Sequence, residues 1–133
     1  MNTKSAANAY SSASFESAPP LKIVRMMYAG AIRFIEQAEQ VDPKQDPGDF
    51  CDKLARAEAV VSELRVSLHE DHSPELSRNL TDLYIFVEGC IREAFLDQTV
   101  TSLLPARKVL NTLLEGWSQV EMSEAQDLRP TGS

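Results

Sequence analysis

Apolar residues recur every three or four positions along most of the chain, which is the period of amphipathic helices. The pattern is interrupted by two prolines and a glycine within residues 42–48, by Pro74, and by a polar stretch at 97–99. No strand-like alternation of useful length appears. These features predict an all-α fold, an antiparallel four-helix bundle with helices at about 20–41, 50–68, 74–96 and 100–122.

The first predicted helix carries more apolar surface than a small bundle core needs. Its apolar residues form two adjacent rows, and neighbouring rows differ by only one helical step. One row can face the core, whereas the other needs more protein or a partner, because soluble monomers rarely expose a long apolar patch. The first row contains Val24, Met27, Tyr28, Ala31, Ile35 and Ala38, and the second contains Ile23, Met26, Gly30, Phe34 and Val41.

Each of the other three helices has an inward seam. The third helix also carries a second row, Tyr84 with Ile91 and Phe95, and Phe86 with Cys90, so its apolar face is broader than a single seam. Ser73 and Pro74 predict the N-cap and the first turn of the third helix. The seams consist of Phe50, Leu54, Ala57, Val61, Leu64 and Leu68 in the second helix, Leu76, Leu80, Leu83, Val87, Ile91 and Ala94 in the third, and Leu103, Leu110, Leu113, Leu114, Trp117 and Val120 in the fourth.

The length of 133 residues fits one domain with one core. Residues 1–17 are rich in Ser, Ala and Asn without a helical period, and we expect a mobile N-terminal arm. Tyr10 and Phe15 are the large residues in it. The bundle domain is expected at 18–124, followed by a disordered tail at 125–133.

The net charge of −7 argues against a nucleic-acid partner, because phosphate binding needs clustered Lys and Arg. No apolar run approaches a membrane span, and the N-terminus lacks the apolar core of a signal peptide. We therefore expect a cytoplasmic protein without membrane insertion. Cys51 and Cys90 are expected to be reduced, small apolar residues rather than a disulfide.

The residues that would carry catalysis or bind a metal do not form a convincing pattern. The Glu-x-x-His motif of di-iron bundles is absent. His69 and His72 stand among Glu70, Asp71 and Glu75, which disfavours a phosphotransfer histidine. We expect no catalytic residue, metal, cofactor or small-molecule substrate.

Three segments together resemble the FliS family, the flagellin-specific export chaperones of bacteria. That family usually shows Thr-Ala-Ser-Pro, then Met-Leu-Tyr-Asp-Gly-Ala and a following Arg. The corresponding residues here are Ser17-Ala18-Pro19-Pro20 and Met26-Met27-Tyr28-Ala29-Gly30-Ala31. The other two segments are Asn79-Leu80-Thr81-Asp82-Leu83-Tyr84-Ile85-Phe86 and Leu113-Leu114-Glu115-Gly116-Trp117.

The chain departs from the family pattern at four positions. Ala29 replaces the usual acidic residue, Pro19 replaces a capping Ser, and Gly89 and Phe95 stand where a basic residue and Asn are more frequent. These changes leave the architecture intact and bear on which flagellin is preferred.

The resemblance implies a non-enzymatic chaperone that binds the disordered C-terminal segment of flagellin and delivers it to the flagellar export apparatus. Asn8-Ala9-Tyr10 matches the N-terminal tyrosine element of the family, which is implicated in covering the groove and in contacting the export machinery. The residues expected to form the groove and its supports are Ile23, Met26, Met27, Tyr28, Gly30 and Phe34 from the first helix, and Tyr84 and Phe86 from the third.

A homodimeric adaptor or regulatory protein is the alternative. Its second apolar row would pair with itself across a two-fold axis, and no disordered client would be needed.

Overall fold

The computed structural model describes residues 21–68 and 74–127. Four α-helices make up most of this part of the chain: α1 is Leu21–Glu39, α2 is Pro47–Val66, α3 is Pro74–Asp97 and α4 is Leu103–Asp127. The helices form an antiparallel four-helix bundle in which α1 packs beside α2 and α4, and α3 packs beside the same two helices. The predicted fold class is confirmed, and α1 and α3 lie diagonally opposite each other.

The core consists of the predicted seams. In α1 the first row is buried except for Met27, which is half-buried, and in α2 the seam from Phe50 to Leu64 is fully buried. A buried Leu, Ile, Val or Phe stabilises a fold by about 1.5–3 kcal/mol relative to the exposed side chain. Leu68, Leu83, Leu113 and Leu114 are only half-buried, although the sequence placed them in the seams, and Leu68 lies just beyond the end of α2.

Helix ends follow from local chemistry. The Asp46 side chain caps α2 by accepting a hydrogen bond from the Asp49 backbone N–H at 3.2 Å, and Pro47 occupies the first turn. Gln98 has a φ of 55°, in the left-handed region, and this terminates α3 where a break was expected. The Ser102 hydroxyl then donates to the Cys90 carbonyl at 2.8 Å, which holds the connection against α3.

Several predicted boundaries need correction. α2 begins at Pro47 and ends at Val66, whereas the sequence predicted residues 50–68. α1 ends at Glu39, two residues before the expected end, because the backbone turns ahead of Pro43. α4 begins at Leu103 and extends to Asp127, so residues 125–127, assigned to a tail, are helical. The arm with Tyr10 and the residues His69, His72 and Ser73 lie outside the described residues.

Two bidentate ion pairs join neighbouring helices. The Arg65 guanidinium donates to the Glu88 carboxylate at 2.7 Å and links α2 to α3. Arg107 donates to Glu39 at 2.7 Å and links α4 to α1. Two parallel hydrogen bonds in one ion pair fix the relative orientation of the joined side chains as well as stabilising the contact. The two pairs hold α2 against α3 and α1 against α4, and neither lies between α1 and α2.

None of the described helices is long and apolar enough to cross a membrane. Within residues 21–68 and 74–127, no group of three His, Cys, Asp or Glu residues is placed to hold a metal ion.

Candidate functional site: an apolar groove between the first two helices

The second apolar row of α1 is directed away from the core. Ile23 and Met26 are 46% and 56% exposed, whereas Val24 and Tyr28, one row away, are fully buried. Gly30, Phe34 and Val41 are half-buried. The first row therefore builds the core, and the second row is exposed at Ile23 and Met26 and half-buried from Gly30 onward.

This exposed row forms one wall of a groove whose other wall is α2. The groove has a volume of about 440 Å³. Gly30 has no side chain, and a Cβ built there would meet nothing within 4 Å, so the α1 wall leaves open space at this position. We call this surface the α1–α2 groove; it is lined by Ile23, Met26, Met27, Gly30, Ala59, Val60 and Glu63.

Four of the residues expected from the sequence come together here: Ile23, Met26, Met27 and Gly30. The α2 wall was missed. Val60 lies one step from the seam residue Val61, and Ala59 is small and exposed, so neither forms an apolar row that periodicity would detect. Among the described residues that line the groove, Glu63 is the only one with an ionisable side chain.

Phe34 lies beyond the groove and packs partly against the core. The Arg33 guanidinium carbon sits 5.8 Å from the centre of its ring, a cation–π distance. Because Phe34 contributes to packing, a charge placed there would affect folding as well as binding. It is therefore a poor position for testing the groove alone.

Tyr28 and Tyr84 are both fully buried and do not line the groove. Their hydroxyl groups hydrogen-bond to each other across the bundle diagonal, which joins α1 to α3. The Tyr28 ring also lies 6.1 Å from the Trp117 ring of α4. Tyr28 thereby holds α1 against α3 and α4. These contacts lie on the core side of α1, opposite the groove.

Phe86 is 48% exposed on α3. Because α3 lies diagonally opposite α1, the structure does not bring Phe86 together with the exposed α1 residues. Two other grooves lie at α3: one of about 320 Å³ against α2 and one of about 260 Å³ against α4. The first is lined by Cys51, Leu54, Ala55, Glu58, Ile91, Arg92, Phe95 and Leu96.

Burial raises the pKa of Tyr28 to about 12, although the hydrogen bond with the Tyr84 hydroxyl acts in the opposite direction. The ordinary pKa of about 10 applies in the unfolded chain. Between about pH 10 and about pH 12 the unfolded chain loses the Tyr28 proton while the native state keeps it, so the free energy of unfolding falls as the pH rises through this range.

We expect the free energy of unfolding to fall by on the order of 2 kcal/mol over that window. Urea denaturation midpoints at successive pH values measure it, and Tyr28→Phe should show a shallower decline. An equal decline in the variant would contradict this role.

The sequence was compared with models of known protein families. The model of the family "Flagellar protein FliS" matches residues 2–124, almost the whole chain. The chain belongs to the FliS family. Two curated relatives support this assignment, and both are named flagellar secretion chaperones.

The relative from Bacillus subtilis is 24% identical over 124 residues, which cover 93% of this chain and 92% of that protein. The relative from Campylobacter jejuni is 27% identical over 124 residues, covering 93% and 97%. The resemblance seen in three sequence segments therefore extends over the full bundle.

Proposed function

We propose that this chain is a flagellar secretion chaperone that binds the disordered C-terminal segment of flagellin in the cytosol. Binding would prevent premature polymerisation of flagellin and keep it available for the flagellar export apparatus. The proposal rests on membership of the FliS family together with one observation: Ile23 and Met26 are exposed over a groove that runs beside the core.

The energetics of a disordered client explain why such a groove is needed. Ordering each client residue costs roughly 1–2 kcal/mol of backbone entropy. Burial of apolar area offsets this at about 25 cal/mol per Å². An amphipathic helix laid along a groove buries apolar residues every third or fourth position, and is the form that meets the requirement.

Methionine suits this task. Met26 and Met27 have unbranched, polarizable side chains that adjust to irregular surfaces. Such a groove accepts clients whose apolar residues do not match it perfectly. The buried Tyr28 and Tyr84 are assigned a supporting role in this proposal, and Phe86, which lies on α3 away from α1, is not part of the groove.

Co-expression tests the proposal. We expect this chain to co-purify one-to-one with the flagellin of its host, and not with the same flagellin lacking its C-terminal region. A concentration-dependent homodimer that retains neither flagellin would favour the adaptor alternative.

The N-terminal arm is proposed to compete with the client through Tyr10. An arm that covers the groove part of the time lowers the apparent affinity by the fraction of time the groove is covered. Deleting residues 1–17 should leave the bundle folded and tighten or accelerate binding of a flagellin C-terminal peptide in calorimetry. Equal affinity and equal association rate for the two proteins would show that the arm is not a lid.

A further inference from the structure

The solvent edge of the α1 wall carries two cationic side chains that flank Met26. Lys22 precedes Met26 by four residues, and Arg33 follows it by seven. Three, four, seven and eleven residues are the spacings at which side chains share a helix face, so these three lie in one row. Lys22 and Arg33 are both exposed and stand about 16 Å apart along the helix axis.

Neither cation is in an ion pair within the described part of the chain, although Glu36 lies three residues after Arg33 on a neighbouring position of the same helix. No carboxylate of the described residues forms an ion pair with Lys22 or Arg33. Arg33 instead stacks over Phe34, a residue of the same apolar row as Ile23 and Gly30. Ala29, four residues before Arg33, is the position where a carboxylate would pair with it, and alanine cannot do so.

The opposite wall has the reverse charge. Glu63 of α2 lines the groove, is exposed, and is likewise in no ion pair with the described residues. On the same face of α2, Arg56 is paired with Asp52 at 3.0 Å, so Glu63 is the charge of this edge that is left unpaired among the described residues. A helix lying in the groove therefore meets unpaired positive charge along its α1 edge and one unpaired negative charge on its α2 edge. This polarity distinguishes the two edges of the bound helix.

We propose that Lys22 and Arg33 form a basic edge that selects amphipathic helices carrying acidic side chains about eleven residues apart beside their apolar face. The inference rests on the proposed function for the identity of the natural client, but the preference belongs to the groove itself. Ile23, Met26 and Val60 supply contact area, and the basic edge sets the rotation of the client helix about its axis. Because the chain carries a net charge of −7, an acidic client is repelled at long range and is attracted when it reaches this edge.

Two designed peptides test the groove without flagellin. Both are helices of about 18 residues with the same leucine face, and they carry either Glu or Lys at two positions about eleven residues apart on one edge. Fluorescence anisotropy at about 50 mM salt should show the Glu peptide binding about tenfold more tightly, with most of the difference lost at about 0.5 M salt. Equal affinities, or tighter binding of the Lys peptide, would overturn the proposal.

Charge-reversal variants of the protein test whether Lys22 and Arg33 cause the preference for the Glu peptide. Lys22→Glu with Arg33→Glu should invert the preference between the two peptides. Arg78→Glu, a reversal of an exposed cation on α3, should leave the preference unchanged. If Arg78→Glu changes the preference as much per charge as the double variant does, net charge rather than the basic edge is responsible, and the proposal fails.

Ala29→Asp supplies the carboxylate that α1 lacks, and Ala29→Asn is its neutral control. The first variant should reduce the Glu-peptide preference to about one third, because the introduced carboxylate would pair with Arg33 four residues later. The second variant should keep the wild-type preference. Equal preferences in the two variants would count against Arg33.

The flagellin segment separates this inference from the proposed function. Binding that is unaffected by reversing Lys22 and Arg33 overturns the basic edge and leaves the chaperone proposal standing. Failure of the wild-type chain to bind flagellin, with the Glu-peptide preference intact, overturns the client and leaves the edge standing.

Discussion

Replacing Met26 with glutamate is expected to abolish binding of the flagellin C-terminal segment while leaving the bundle folded. Met26 is 56% exposed, so a carboxylate at this position stays hydrated in the free protein. Under a bound helix the same carboxylate would lose water, at a cost of about 1–3 kcal/mol or more. Titration calorimetry measures the binding, and circular dichroism with a thermal melt measures the fold.

Gly30 offers a second way to block the groove, by volume rather than charge. Since a Cβ at Gly30 meets nothing within 4 Å, Gly30→Trp should place an indole in the groove without disturbing the core. Replacing a helix-interior glycine by alanine stabilises the helix by roughly 0.5–1 kcal/mol, and tryptophan, a weaker helix former than alanine but a better one than glycine, keeps part of this gain. The variant should therefore melt no lower than the wild type.

Gly89 is the matched control, because it is also helical, has nothing within 4 Å of its Cβ position, and lies on α3. Gly89→Trp should retain client binding. If Met26→Glu and Gly30→Trp bind as well as Gly89→Trp, the client does not occupy the α1–α2 groove. If Met26→Glu unfolds the protein, the exposed row is part of the core.

Leu64→Ala is expected to lower the free energy of unfolding by about 2–4 kcal/mol. Leu64 is fully buried in the α2 seam, and truncation removes apolar contacts and leaves a cavity that the bundle fills only in part. Chemical denaturation should show a lower midpoint with an unchanged slope. Client affinity should change only through the fraction of folded protein.

Leu96→Ala makes the same chemical change on a side chain that is 69% exposed. It should shift the free energy of unfolding by no more than about 0.5 kcal/mol. An unchanged midpoint for Leu64→Ala, or an equal loss in both variants, would contradict the assignment of the α2 seam.

The sequence predicted the helices and their inward faces because apolar periodicity reports burial directly. The seam from Phe50 to Leu64 and the two rows of α1 are of this kind. Periodicity did not decide which α1 row is exposed, since the rows are one helical step apart. The structure separates them, with Ile23 and Met26 exposed and Val24 and Tyr28 buried.

The α2 wall of the groove was not predictable in the same way. Its residues become a site only because α2, and not α3, lies beside the exposed row of α1. The same order of helices keeps Phe86 away from that row. The hydroxyl bond between Tyr28 and Tyr84 joins residues 56 positions apart, and such a contact depends on tertiary packing that local pattern does not encode.

Photo-crosslinking from position 26 tests the central claim most directly. A chain with a benzophenone side chain in place of Met26 is mixed with the host flagellin, irradiated and mapped by mass spectrometry, with the exposed Asp82 of α3 as the control position. We expect crosslinks from position 26 to the C-terminal segment of flagellin, well above the yield from position 82. Crosslinks from position 26 only to a second copy of this chain, or none to flagellin, would contradict the account.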